Sequence, residues 1–136
     1  MADRTNSFEE LEAWKSAREL ARFIYSVFRR EPASHDFGLK DQVQRAAVLA
    51  MTNVAEGFER LPSAEKLQFY SAAHASCGEV RSLSYVMLDA GYVSDAEHGK
   101  LLELVGQTGR LISSLIHSAR PRTASHTPRL PPPISQ

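Results

Sequence analysis

The run LKDQVQRAAVLAMTNVAEG, from Leu39 to Gly57, constrains this chain most, because its apolar residues recur at a single period. Leu39, Val43, Ala46/Ala47, Ala50, Val54 and the following Phe58 step by three and four, as one face of an α-helix does. Gln42, Ala46, Leu49, Asn53 and Glu56 fall on a second line at the shoulder of that stripe, and Arg45 also lies close beside it. Polar groups beside a buried seam are costly to desolvate unless each finds a partner. They imply either an internal polar lock or an interface with another copy of the chain.

The same period recurs on both sides. Ser7 with Glu10 three residues on is a capping-box pattern, which predicts a first helix opening there. That helix carries Phe8, Leu11, Trp14, Ala17, Ala21, Ile24 and Phe28, and is expected to end at Glu31-Pro32. Leu20, Phe23 and Val27 form a second stripe on it, beside Phe8, Leu11 and Trp14. Trp14, among apolar neighbours, is expected to be mostly buried, and the extra stripe predicts a further contact surface. The second helix stops near Arg60, before Leu61-Pro62. Ser63 is expected to cap a third helix, closed at Ala90 by Gly91. Ser94 with Glu97 opens a fourth that Pro121 ends. Four helices of about 20–27 residues joined by short turns, with no period-2 segment, predict an all-α antiparallel up-down-up-down four-helix bundle over residues 1–120. The proline-rich stretch 121–136 is predicted to be a disordered tail.

Short turns also predict register. Across the second turn Arg45 should face Glu79, within ion-pair distance in one chain or across a subunit boundary, and Asn53 should face Tyr70. Across the third, Gly78 should face Gly106 and allow close backbone approach. Arg45 with Glu79 reads either as part of a ligand site or as a structural ion pair, and the residue types favour the second. Gln42, Arg45, Asn53, Glu56 and Glu79 thus form the expected structural or interface cluster.

Formal charge is balanced, 16 Lys+Arg against 16 Asp+Glu, and residues 1–120 carry 14 against 16. Such a balance argues against bulk electrostatic capture of nucleic acid and leaves only local patches. Lys15, Arg18, Arg22 and Arg29 lie along one side of the first helix with Tyr25 between them, a pattern suited to RNA. Glu12 and Glu19 interrupt that line, which favours a solvated face. Cys77 is the only cysteine, so no internal disulfide forms and a reducing cytoplasm is expected. No signal peptide and no membrane-spanning run is recognisable. The five histidines lack metal-ligand spacing, and no nucleophile–base motif or phosphate loop occurs, so no catalytic, metal or cofactor site is expected.

Phe8-Leu11-Trp14, then Gln42-Arg45-Ala46-Ala47, then Asn53-Val54-Ala55-Glu56-Gly57, then Ala75-Ser76 with Glu79 occur in that order across about residues 7–119. Together they resemble the bacterial 23S rRNA intervening-sequence proteins, whose pattern is F-x-x-L-x-x-W, Q-x-x-R-A-A, N-[IV]-A-E-G and a Gly-Ser followed by a helical glutamate. The chain departs from it at Leu49, Met51 and Ala75, where the family has a small polar residue, a proline and a glycine. The resemblance implies a four-helix bundle that assembles as a ring, typically a homopentamer. It also implies kinship with the pentameric accessory proteins of diversity-generating retroelements, which work with nucleic acid and a reverse transcriptase. The expected function is a non-catalytic homo-oligomeric scaffold or adaptor that binds RNA or DNA through basic patches. A protein–protein adaptor with no nucleic-acid role is the alternative.

Overall fold

The computed structural model describes residues 6–121. Among them are four α-helices and no strand: α1 Glu12–Val27, α2 Phe37–Glu59, α3 Ser63–Asp89 and α4 Asp95–Ala119. Helix α1 packs on α2 and α4, and α3 packs on the same two, so the helices form an antiparallel square in chain order. The bundle is all-α, as its period required. The proposed tail from residue 122 onward lies outside the described residues.

The stripe of α2 is the centre of the core. Val43, Ala46, Ala47, Ala50 and Val54 are all buried, against Leu20 and Ile24 of α1, Val80 and Met87 of α3 and Leu101 and Ile112 of α4. Alanines on that seam let the neighbouring helices approach closely, and large side chains from the other three fill the layer.

Helix starts are set by local hydrogen bonds, and here the expectation fails twice, at Ser7 and at Ser63. Ser7 makes no side-chain cap, and Glu10 instead accepts the Asn6 amide. Phe8–Glu10 is a single 3₁₀ turn, Leu11 is extended (φ −73°, ψ 131°), and α1 begins only at Glu12. It also ends early, at Val27, because the chain turns through residues 28–36 before α2. Its 16 residues are fewer than expected. Asp36 caps α2, its carboxylate accepting the Leu39 amide at 3.3 Å. Pro62, not Ser63, occupies the cap position of α3. At the other end of α3, Gly91 takes φ +82°, and the Gly91 and Tyr92 amides donate to the Leu88 and Met87 carbonyls. This is the left-handed C-cap that glycine permits. The Ser94–Glu97 capping box forms in full, with 3.0 Å and 2.9 Å bonds in the two directions.

Trp14 is mostly buried, as expected: it packs on the core near the start of α1 against Phe8 (5.3 Å between centroids), with Arg18 over its ring. Three further expectations are corrected. The two stripes of the first helix both pack on this chain's own core, Leu11, Trp14 and Phe23 at its edge and Leu20 and Val27 within it. Neither stripe is left over as a contact surface. Tyr70 packs on Gly57, a turn beyond Asn53, because helical side chains lean toward the N-terminus of their own helix. Gly78 and Gly106 do not bring backbones together. A Cβ built on Gly78 meets nothing within 4 Å, and the two line an open groove.

Candidate nucleic-acid interface

The outer face of α1 is a run of residues that the core does not use. Arg18, Arg22, Tyr25 and Arg29 recur every three or four positions, so the helix projects them on one side, and all are exposed. They line an open groove of about 750 Å³, with Met51 of α2 and Leu104 of α4 also on its walls. Lys15 lies on α1 beyond the groove. The acids that interrupt the line act as local partners: Lys15 pairs with Glu12 at 3.4 Å and Arg22 with Glu19 at 3.0 Å. Arg18 and Arg29 have no carboxylate within 4 Å among the described residues. The face therefore carries two uncompensated guanidinium groups beside an aromatic ring. Guanidinium forks match phosphate oxygens, and a ring such as Tyr25 offers a base a surface to stack on.

The expected polar cluster lies on the surface. Gln42, Arg45, Glu56 and Glu79 are exposed and Asn53 is half-buried. Arg45 bonds Asp41 on its own helix at 2.9 Å, and no Arg45–Glu79 pair forms within the chain. An i, i+4 carboxylate is nearer to a flexible guanidinium than one across a helix interface, and no burial forces the longer reach. Glu56 pairs with Arg60 at 2.7 Å, and Arg60 continues to Glu65 and over the Phe69 ring. This string ties the α2–α3 turn together. Lys66 adds to it by donating to the Gly57 and Phe58 carbonyls at the end of α2.

The buried polar pairs are elsewhere and had no periodic signal. Thr108 donates to the Leu104 carbonyl, so the Ser16 hydroxyl donates to Thr108 Oγ1 at 2.6 Å, linking α1 to α4. Ser84 Oγ lies 3.0 Å from His98 Nε2 and 2.6 Å from the Arg81 carbonyl. With the hydroxyl proton on that carbonyl, His98 must donate, which is the reverse of a base activating a nucleophile. Ser84 is fully buried and lines none of the cavities described for the bundle. Burial pushes the Cys77 thiol up to about 11, which disfavours its reactive thiolate. Among the described residues no group of three or more His, Cys, Asp or Glu side chains is placed to hold a metal ion. None of the described helices is long and apolar enough to cross a membrane.

The family model for the 23S rRNA-intervening sequence protein matches residues 9–114, most of the bundle. The chain belongs to that family. The fold agrees with a crystal structure from Bacteroides thetaiotaomicron, described as a protein with unknown function from the S23 ribosomal protein family. It is 14% identical, with a TM-score of 0.71, and the match covers 76% of this chain and 97% of that one. At that identity the likeness bears on the fold alone. No curated protein matches the chain. In this intervening-sequence family member the matched region stops within α4 and takes in the whole α1 groove.

Proposed function

We propose that this chain is a non-catalytic homo-oligomeric scaffold whose α1 face engages the phosphate backbone of RNA or DNA. The observation that carries the reading is the pair Arg18 and Arg29, unneutralised within the described chain and flanking Arg22 and Tyr25 in one groove. Balanced net charge limits the strength of a single face, since non-specific affinity scales with the phosphates neutralised. Repetition of the face by cyclic symmetry compensates, because each further contact becomes intramolecular. A pentameric ring, and kinship with retroelement accessory proteins, are what the family pattern of Gln42-Arg45-Ala46-Ala47 and Asn53-Val54-Ala55-Glu56-Gly57 supports. The exposed line Gln42, Arg45, Glu56 on α2, with Leu49 between them at 41% exposure, is the surface we assign to the neighbouring copy.

Arg22→Ala with Arg29→Ala is expected to leave the fold intact, since both side chains are exposed. Binding to a structured RNA should weaken, and its log–log salt slope should fall by about 2, near 0.9 for each duplex phosphate that is no longer neutralised. The measurement is fluorescence anisotropy across a salt series. No binding by the wild-type oligomer at low salt would end this reading and leave a protein–protein adaptor, for which exposed Leu49 is the supporting feature.

A further inference from the structure

A different face of the bundle carries a purer set of cations. Two adjoining cavities of about 480 Å³ and 360 Å³ run between α3 and α4, sharing His74 and Ser113. Arg81 and Arg110 line the first, His117 and Arg120 the second, and no Asp or Glu lines either. Arg22, Arg30, Arg45 and Arg60 each have a carboxylate within 4 Å, whereas Arg81, Arg110 and Arg120 have none among the described residues. In a chain of balanced charge, acids have been kept out of this one groove.

The floor explains why the groove exists. Gly78 comes from α3, and Gly106 and Gly109 from α4. Glycine inside a helix is destabilising relative to alanine, so a set of them calls for a packing or functional reason. No close helix packing supplies it, because a Cβ on Gly78 would meet nothing. On α4 the Arg110 head group uses the space at Gly106, where a Cβ would lie 3.3 Å from Nη1, whereas a Cβ on Gly109 would make only ordinary contact with His74 Nε2 at 3.9 Å. Gly106 lets the Arg110 guanidinium lie low over the helix. From Gly106 to Arg120 the groove extends about 21 Å at about 1.5 Å per residue, a length that a short single strand spans. Cys77 and Val105 are buried, so the walls offer no exposed large apolar anchor for a peptide side chain beyond half-buried Ile116.

We propose that the α3–α4 groove binds a single strand of nucleic acid along its phosphodiester backbone. Arg81, Arg110 and Arg120 hold phosphates spaced along the strand as guanidinium forks, and His74 and His117 add ring N–H donors and flat faces for bases. The glycine floor admits the sugar–phosphate chain. The site shares its ligand chemistry with the α1 face but none of its residues.

The probe is a fluorescein-labelled oligouridylate 12-mer, read by anisotropy from low to moderate salt. Arg81→Gln with Arg110→Gln should weaken binding at least tenfold at low salt and lower the log–log salt slope by about 1.4, near 0.7 per single-strand phosphate. Ser113→Glu, a surface change that sets a carboxylate between the two cavities, should weaken it as well. It gives the reading if the double variant does not fold, which circular dichroism reports. Retention of wild-type affinity and slope by both variants overturns the proposal, as does absence of wild-type binding at low salt. Displacement of the 12-mer by poly-L-glutamate as effectively as by unlabelled 12-mer also overturns it, in favour of an acidic peptide. The Arg22→Ala, Arg29→Ala protein reads the α1 face in the same assay. Loss in that protein alone removes the groove and leaves the α1 reading, and loss in the groove variants alone does the reverse.

Discussion

The ring of Tyr70 occupies the space that a side chain at Gly57 would need. A Cβ there would come within 2.6 Å of Tyr70 Cε1 and 3.2 Å of Phe69 Cβ, with Tyr70 itself buried. Gly57 lies inside α2 with ordinary helical φ, so the requirement is space and not backbone freedom. Gly57→Ala should therefore destabilise the fold by about 1–3 kcal/mol, the usual cost of overpacking, although alanine is the better helix former. Chemical denaturation checks this, and Tyr70→Leu in the same chain should recover part of the loss. An additive double variant would show that the two residues are not in steric conflict. The glycine of the Asn53–Gly57 motif is legible in the sequence as a residue. Its reason is not, because the ring that demands it arrives from another helix.

At the scale of elements, the connection between α1 and α2 is clasped to the connection between α3 and α4. Arg30 donates to Glu97 at 2.8 Å and to the Tyr92 carbonyl at 2.9 Å, and the Tyr92 hydroxyl donates to Asp36 at 2.8 Å. Asp36 is the cap of α2 and Glu97 half of the capping box of α4, so two helix starts share one polar cluster. The Arg30 hydrogen bond, followed by the Ser94 amide, holds the Glu97 carboxyl below its ordinary range. A carboxyl lowered in the folded state contributes stability that is full above the unfolded value, near 4.5, and is lost as pH falls through the folded one. Glu97→Gln should thus be less stable at neutral pH and show a shallower loss on acidification. Thermal melts from pH 7 to pH 3 report both, and parallel acid limbs in the two proteins would contradict the assignment. Asp36 as hydrogen-bond acceptor raises the Tyr92 hydroxyl above its usual value, so that contact fails only at strongly alkaline pH.

For the whole molecule, assembly is the decisive question. Exposed Phe37, Leu49 and Leu61 and the Tyr85–Val86 pair lie on different parts of the chain, and scattered apolar residues of this kind are tolerated by a monomer, so surface area alone does not demand a partner. A ring of five would scatter light at about five times the 15.1 kDa of one chain. Leu49→Glu should then shift the population toward smaller species if the α2 line is the contact. A wild-type protein that remains monomeric over a wide concentration range would remove the ring, and with it the multiplied α1 face.

What the chain determined by itself is everything written in short range. The three-and-four spacing of Val43, Ala46, Ala47, Ala50 and Val54 made a helix with one buried face, Ser94 and Glu97 capped α4, and Gly91 ended α3. Each rests on atoms within a few residues of one another, and such contacts survive any arrangement of the helices. The exposed cationic line of Arg18, Arg22 and Arg29 was legible for the same reason. Tertiary structure decided the rest. The Ser7 cap pattern lost to a 3₁₀ turn that lays Phe8 on Trp14, and Arg45 took Asp41 in place of Glu79. Gly78 and Gly106 opened a groove instead of closing a contact. The Arg45 and glycine outcomes turn on which way side chains lean across an interface about 8–10 Å wide. One helical turn of register, about 5.4 Å, changes every such pair while leaving every periodic stripe intact.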